Sequence, residues 1–457
     1  MEKNEKKQGV GDTVTRGVFV SGVGSTALRV IDAAIAILML RWLSVYEYGV
    51  YRLAIAAYDF FGGFFLAGLE NVVVSDAAAD IEKNSRRARV LYTSYFIFLS
   101  VVSVVLAAIF YFASDRVAAW MGGEAVYLKI VALLFLLSPF ETAYKLRFQI
   151  YLDFGWGMIF KIIADTGKLV AIALFFLLWS FDVTRALWSV VIATALPLTA
   201  TFLGYRRPSL FSFPSFSEIK ESFAALFLRH GKWAIVSDFV NNASQNIRPF
   251  VVRAFVGIEG VALISVAQNL LSAVKSLFPI REVLTPALPR ASDDPARLAA
   301  QINRATKYAT YVYVGLSIAA ALGVPVLVWL LFPHYLPALP FFYILLLGLP
   351  FFGFRSVAIP VFYALKAQRV LLIITTVRTI LLTVVNVALT YFFGLWGAAT
   401  EMVLIGIFTT PAYARAIRAL LPQWRFRVRE LFAFDEYDRA FVKDLGSRIA
   451  TKAGFRV

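Results

Sequence analysis

Charged side chains recur at helical spacing inside the first two long apolar runs of the sequence. Arg29 and Asp32 lie three residues apart in the first run, and Arg52 and Asp59 lie seven apart in the second. Both spacings place the two residues on one face of a helix. A charge at mid-membrane costs about 2.5–3.5 kcal/mol, so such residues are kept only where they are paired or hydrated. Two interpretations stay open for Arg29 and Asp32: they line a water-filled cavity, or they neutralise each other as a structural pair.

A matching set of polar residues occurs in the second half of the sequence. One run carries four on a single helical face: Asp238, Asn241, Gln245 and Arg248. The next run carries Gln268 and Lys275. Helices that face lipid do not carry such stripes. The polar faces of these four runs are therefore predicted to line one central hydrated cavity.

The net charge of the side chains that line the predicted cavity indicates which ligand it binds. Its cations, Arg29, Arg52, Arg248 and Lys275, outnumber its carboxylates, Asp32, Asp59 and Asp238. Four unpaired cations would cost about 12 kcal/mol in total, at about 3 kcal/mol each. Because Arg binds phosphate through two parallel hydrogen bonds, the excess favours a phosphate-bearing substrate. The alternative, that the charges are paired only for structural reasons, remains open.

The composition indicates the elements that carry these residues. Of the 457 residues, 60% are hydrophobic and 16% are charged, against about 45–50% and 25% in soluble domains. The sequence predicts an all-α polytopic membrane protein with about twelve transmembrane helices. The predicted spans are 17–42, 49–69, 90–113, 127–149, 158–180, 186–205, 233–254, 261–288, 307–332, 340–364, 370–392 and 397–418. There is no cysteine and there are only two histidines, which excludes thiolate and histidine-cluster metal sites.

The basic residues set the orientation and the domain division. Lys and Arg concentrate in alternate loops, which predicts that both termini are cytoplasmic in the inner or plasma membrane. This asymmetry accounts for most of the net charge of +16, so no nucleic-acid partner is predicted. The predicted domains are a six-helix lobe (1–205), a linker with an interfacial helix (206–232), a second six-helix lobe (233–418) and a basic amphipathic tail (419–457). A capping box, Ser215-x-x-Glu218, opens the linker helix.

The two lobes are predicted to be repeats of each other. Arg41 and Glu47 lie six residues apart between spans one and two, and Arg253 and Glu259 lie six apart between spans seven and eight. An even number of spans per half gives both copies the same orientation. This is the parallel-repeat arrangement of many transporters.

Motifs for catalysis are lacking, and the sequence predicts a transporter rather than an enzyme. Gly167-Lys168 is followed by Leu169 and does not form a phosphate-binding loop. No cofactor is predicted. Asp32, Asp59 and Asp165 are candidates for coupling to a proton or sodium gradient, as the less favoured interpretation. Two other charge sets, Asp165 with Lys168 and Arg378 with Glu401, are predicted to be structural pairs.

Two segments resemble a known family. The turn from Arg41 to Tyr51 and the connection from Arg147 to Phe154 are similar to those of the Wzx-type polysaccharide and O-antigen flippases. These belong to the multidrug/oligosaccharidyl-lipid/polysaccharide (MOP) exporter superfamily, which includes the MATE transporters. The resemblance implies two six-helix lobes in a V, with spans one, two, seven and eight around the cavity. By position, Arg29, Asp32, Arg52 and Lys275 match the cavity charges of these flippases.

The resemblance also implies a function. The expected activity is to move a polyprenyl-pyrophosphate-linked oligosaccharide from the cytoplasmic to the outer leaflet by alternating access. The expected partners are this substrate, membrane lipids and other glycan-assembly membrane proteins. Lipid II flippases carry two further spans that this chain lacks, which counts against a peptidoglycan precursor. The alternatives are a cation-coupled multidrug exporter, which would need an acidic cavity, and a membrane glycan enzyme, which would need catalytic outer loops.

Overall fold

The protein is helical throughout the part that the structure describes. The structure is a computed structural model, and it describes residues 28–66, 69–80, 85–224, 242, 246–288 and 294–425. No strand occurs in these ranges. The helices of the first half are α1 (28–42), α2 (Val45–Leu66), α3 (Leu69–Asp80), α4 (Ser85–Phe112), α5 (Ser114–Met121), α6 (Ala125–Ile150), α7 (Phe154–Leu178), α8 (Val183–Gly204) and α9 (Phe216–Ala224). Those of the second half are α10 (Arg248–Phe255), α11 (Ile258–Ser276), α12 (Ile280–Ala287), α13 (Pro295–Leu331), α14 (Leu339–Leu347), α15 (Leu349–Ala364) and α16 (Gln368–Leu420).

These helices confirm the predicted fold class. Ten of the twelve predicted spans coincide with one helix, or with the described part of one. The spans 261–288 and 340–364 are each divided into two helices, at residues 277–279 and at Gly348. Six described helices are long and apolar enough to cross a membrane, and the bent pair Pro333–Leu347 and Leu349–Ala364 makes up to a seventh. Helix α7 has a suitable length, but it carries Lys161, Asp165 and Lys168. These charged residues lie in the middle of the helix, where a membrane span tolerates charge least.

One helix contains two predicted spans. Helix α16 covers both 370–392 and 397–418, and its backbone is interrupted at Gly394, where φ is 57° and ψ is −134°. Glycine adopts this backbone conformation at low cost, because it has no Cβ. The kink therefore separates the two spans without a loop.

Apolar side chains cover the outside of the helices as well as their interior. Helix α4 exposes Val101, Val104 and Ile109 by 54–58% of their surface, and it buries Tyr95 and Leu99 on the opposite side. A soluble protein would place polar residues on such a face. The exposed apolar face is the one expected to contact lipid.

The two turns that were predicted to be repeats pack against each other. Ser44 and Glu47 form a capping box that opens α2, in which the Ser44 backbone N–H donates to Glu47 Oε2 at 2.9 Å. Two residues later, a Cβ on Gly49 would lie 2.3 Å from the backbone oxygen of Ile258, at the start of α11. Only glycine permits this approach of α2 to the equivalent turn of the second half.

Polar contacts attach the linker to the α6–α7 turn. Asp153 accepts from Tyr205 Oη at 2.6 Å and from Arg207 Nε at 3.2 Å. The Arg147 guanidinium lies 4.6 Å from the centre of the Tyr205 ring and donates to the carbonyls of Arg207 and Pro208. The connection from Arg147 to Phe154 thus holds the chain where it leaves α8.

The capping box predicted for the linker helix is confirmed. Glu218 accepts from the Ser215 backbone N–H at 2.8 Å, and its other carboxylate oxygen accepts from Arg86 of α4 at 3.1 Å. These hydrogen bonds from Ser215, followed by the charge of Arg86, lower the pKa of Glu218 below its ordinary value. The linker helix is therefore tied to the end of α4 by charge.

Contacts divide the chain into two compact units that interleave along the sequence. Unit 1 contains the residues up to Ala273, with Ala319–Leu347 and Thr375–Ile405. Unit 2 contains Val274–Ile318, Gly348–Ile374 and the residues from Gly406 onward. The division into lobes by chain order remains a prediction. The tail after Arg425 lies outside the described residues.

Candidate substrate-binding residues in each unit

Helix α2 carries a half-buried cation in unit 1. Arg52 is partly enclosed, and its Nε is buried without a hydrogen-bond partner. One turn earlier, Tyr48 is buried and accepts a hydrogen bond from Asn269 of α11 at 3.0 Å. A buried donor without a partner costs about 1–3 kcal/mol. The half-buried side chain of Arg52 therefore carries one donor that no described protein group satisfies.

Asp59 and Lys168 share the surroundings of Arg52. Arg52 and Lys168 both lie within electrostatic range of the carboxylate of Asp59, which is an exposed residue. The Lys168 Nζ lies 3.5 Å from Tyr51 Oη, at the limit of a hydrogen bond. Lys168 also lies within electrostatic range of Asp165, so the Asp165–Lys168 pair stays a prediction.

A residue of the second half closes the C-terminal end of α2. Asn242 donates to the carbonyls of Asp59 and Phe60, at 3.2 Å in both cases. A Cβ on Gly63 would lie 1.9 Å from the same amide group, so glycine makes room for it. Sequence reasoning assigned the neighbouring Asn241 to the polar face and missed Asn242. The run of amides in this segment was the available signal.

Arg29 and Asp32 are both exposed on α1, and no ion pair joins them in the described structure. Asp32 lies within electrostatic range of Asp165 on α7. The Asp165 side chain is half-buried, and its Oδ2 is buried without a hydrogen bond. Lys161 and Lys168 also lie within electrostatic range of Asp165. Unit 1 therefore has a cluster with charges of both signs on α1, α2 and α7.

Arg248 belongs to a separate, buried network of unit 1. Its guanidinium donates to Glu401 Oε1 at 3.0 Å, and Asn386 donates to Glu401 Oε2 at 3.0 Å. The Glu401 side chain is 0% exposed and that of Arg248 is 15% exposed. The predicted partner of Glu401, Arg378, lies within electrostatic range of it, but the ion pair is made by Arg248. Spacing along one helix could not have found a partner 153 residues away.

The remaining predicted residues fall into three places. Gln268 is half-buried on α11 in unit 1. Lys275 lies at the end of the same helix in unit 2, with its Nζ 4.9 Å from the centre of the Phe352 ring. Asp238, Asn241 and Gln245 lie outside the described residues. The residues that the structure does describe include no group of three metal-binding side chains.

The chemistry available in these clusters is binding rather than bond breaking. Guanidinium and ammonium groups, phenols and amides are offered to a polar ligand within membrane helices. Such groups are expensive in lipid and are kept there for substrate or ion pathways. Whether Arg29, Arg52 and Lys275 meet one ligand remains a prediction.

Solved structures of transporters share this fold. A multidrug resistance MATE family transporter of the MOP superfamily matches with a TM-score of 0.70 and 18% identity, over 86% of this chain and 95% of that one. The lipid II flippase MurJ matches with a TM-score of 0.73 and 14% identity, over 91% and 89%. The MATE multidrug transporter DinF-BH matches with a TM-score of 0.61 and 16% identity, over 90% and 96%. At these identities the likeness shows the fold alone.

Sequence comparison gives the family. A comparison with curated protein sequences finds no significant match. The family model described as "Polysaccharide biosynthesis protein" matches residues 38–337, which is more than half of the chain. That range includes α2, α7 and α11, the helices that carry Arg52, Lys168 and Lys275. The chain is therefore a multi-pass membrane protein with the fold of the MOP transporters, and it belongs to the polysaccharide biosynthesis protein family.

Proposed function

We propose that the protein is a flippase that moves a polyprenyl-pyrophosphate-linked oligosaccharide from the cytoplasmic to the outer leaflet of the cell membrane. The observation that carries the proposal is the Arg52 cluster of unit 1. A half-buried guanidinium with a buried, unpartnered Nε lies on a helix of a membrane protein from a polysaccharide family. A diphosphate supplies the acceptors that this group lacks.

The other parts of the substrate have different requirements. The oligosaccharide is polar and needs hydrogen-bonding groups along its route. The polyprenyl chain is apolar and remains in lipid. Arg29 and Arg52 supply cations for the diphosphate in unit 1, Lys275 supplies a further cation in unit 2, and alternating access exposes the substrate to each side in turn. Both termini stay in the cytoplasm.

The test is a set of single alanine substitutions at Arg29, Arg52 and Lys275. Each is expected to reduce surface glycan several-fold in a strain that depends on this protein, because each removes one protein cation that would bind the diphosphate. The matched control is Arg116→Ala, which removes an exposed cation from α5. Normal glycan in all three strains, with normal protein levels, would remove the assigned roles.

A second candidate is a cation-coupled multidrug exporter. The observation in its favour is the set of carboxylates near the Arg52 cluster, namely Asp32, Asp59 and Asp165. An exporter of cationic drugs would use these groups for its substrate. Expression in a pump-deficient host separates the two functions, because the exporter would raise drug resistance and the flippase would not.

A further inference from the structure

The chain between α8 and α9 carries exposed aromatic side chains close together. Phe211 is 46% exposed, Phe216 is 83% exposed, and Phe213 between them is fully exposed. Exposed apolar groups that cluster in this way mark a surface that contacts lipid or another molecule. The depth of the segment relative to the membrane decides between these two.

Hydrogen bonds hold this segment against α4 at a definite depth. The Ser212 backbone N–H donates to Thr93 Oγ1 at 3.0 Å, and Thr93 Oγ1 donates to the Leu210 carbonyl at 3.4 Å. Thr93 lies just inside the uncharged part of α4, which runs from Val90 to Phe112. Three residues of helix span about 4.5 Å. The segment therefore lies at the level where a membrane span enters the hydrocarbon region.

The Phe211 ring continues the outer surface of the neighbouring helices. It packs edge-on against Phe96 of α4, with ring centres 4.9 Å apart, and Phe96 packs edge-on against Phe140 of α6 at 5.5 Å. Phe140 is 50% exposed, and Phe202 in the last turn of α8 is 77% exposed. These helices carry apolar side chains on the face that is expected to contact lipid. The aromatic segment is therefore continuous with a lipid-facing surface.

Charged side chains next to the segment suit the same location. Arg206 precedes it and Lys220 follows it on α9, and both are exposed. None of the ion pairs among the described residues includes either side chain. Aromatic groups at the acyl boundary, with Lys and Arg toward the headgroups, are typical of a segment that lies in the membrane interface.

We infer that the segment 211–216 is inserted in the phospholipid leaflet beside α4 and α6, with the rings of Phe213 and Phe216 among the acyl chains. A protein partner would have to displace lipid at this depth, so the leaflet itself is the occupant. The segment is thus a membrane anchor in its own right, and it precedes the helix that the sequence predicted to be interfacial. The inference goes beyond the proposed function and does not rest on it.

Spin labels measure this depth, because the chain has no cysteine. Single labels at Phe213→Cys and Phe216→Cys are placed in the purified full chain, in nanodiscs of phosphatidylcholine and phosphatidylglycerol. Oxygen concentrates in lipid and a nickel chelate stays in water, so the ratio of their collision rates with the label reports its depth. Both labels should give a ratio several-fold higher than a label at Glu221→Cys. Glu221 is exposed on α9, about 140° around the helix from Phe216.

Two further measurements make the result decisive. A label at Val101→Cys, which is 58% exposed further along α4, gives the ratio for a position in lipid. A thermal unfolding midpoint like that of the wild type establishes that each labelled variant is folded. Ratios for Phe213→Cys and Phe216→Cys between those of Val101→Cys and Glu221→Cys would support the insertion.

Two results would overturn the inference. A ratio for Phe213→Cys equal to that for Glu221→Cys would place the segment in water. Low collision rates of the Phe213→Cys label with both oxygen and the chelate would show that protein covers it, either another part of the chain or a second molecule.

Discussion

The charged clusters of the two units differ in their balance of sign. In unit 1, Arg52 and Lys168 share their surroundings with Asp59, and Lys168 also acts on Asp165. In unit 2, Arg281 acts electrostatically on Arg355, and Lys275 and Arg355 both lie close to the Phe352 ring. The first cluster can be nearly neutral with no ligand present. The described part of the second cluster holds cations around an aromatic ring, so the two regions should respond differently to substitution.

The largest difference between the units should appear in thermal stability, when one charged side chain is removed from each. Glu401→Leu leaves the Arg248 guanidinium buried without its partner, which costs about 3–5 kcal/mol and should lower the thermal unfolding midpoint strongly. Among the described residues no ion pair includes Arg355, so Arg355→Met should change the midpoint little. The double variant Arg248→Met/Glu401→Leu should recover most of the loss. A Glu401→Leu protein as stable as Arg355→Met would contradict this contrast.

Close helix approach gives the next largest effect. Gly49→Ala in unit 1 places a Cβ 2.3 Å from the Ile258 carbonyl oxygen and should destabilise the protein by about 1–3 kcal/mol. Gly315→Ala in unit 2 has nothing within 4 Å of the added Cβ. It should stabilise α13 by up to about 1 kcal/mol. Denaturant or thermal unfolding in detergent measures both, and equal effects would mean that the turns do not pack as described.

Neutralising a carboxylate near Arg52 should give the unit 1 cluster a net positive charge, like that of the unit 2 cluster. Asp59→Asn removes a negative charge that acts on Arg52 and raises the local positive charge. Pyrophosphate should then bind the protein a few-fold more tightly, and the gain should shrink as salt is added. Asp115→Asn, an exposed change on α5, is the control. Weaker binding by Asp59→Asn would show that the carboxylate supports the site.

The smallest effect concerns the linker helix and pH. The pKa of Glu218 is lower in the folded protein than in the unfolded chain. The stabilisation that its carboxylate gives to the linker helix is therefore fully present above the unfolded pKa, and it is lost as the pH falls through the folded pKa. The chain has no cysteine, so a spin label at Lys220→Cys reports on this helix alone. The label should gain mobility in acid, below the ordinary pKa of a glutamate. In Glu218→Ala the label should be mobile at neutral pH too, and a label that stays immobile there would contradict the role of the capping box.

Local patterns predicted the helices well because each depends on neighbours in the sequence. Apolar runs gave the spans, and Ser215-x-x-Glu218 gave a capping box that the structure confirms. The kink that lets α16 contain two spans depends on Gly394, whose conformation no periodicity reveals. Ion pairs were predicted less well. The buried ion pair of Glu401 with Arg248 was not predicted, although the predicted partner Arg378 does lie within electrostatic range of Glu401.

By itself, the sequence determined that this protein is an all-α membrane protein with charged residues on its helices, because hydrophobicity and helical spacing are local properties. The tertiary structure alone decided which charges lie together. It placed Arg248 on Glu401, and Lys275 and Arg355 on the Phe352 ring. Coulomb and hydrogen-bond energies depend on distances in space, and a folded chain sets these distances through packing between segments far apart in sequence.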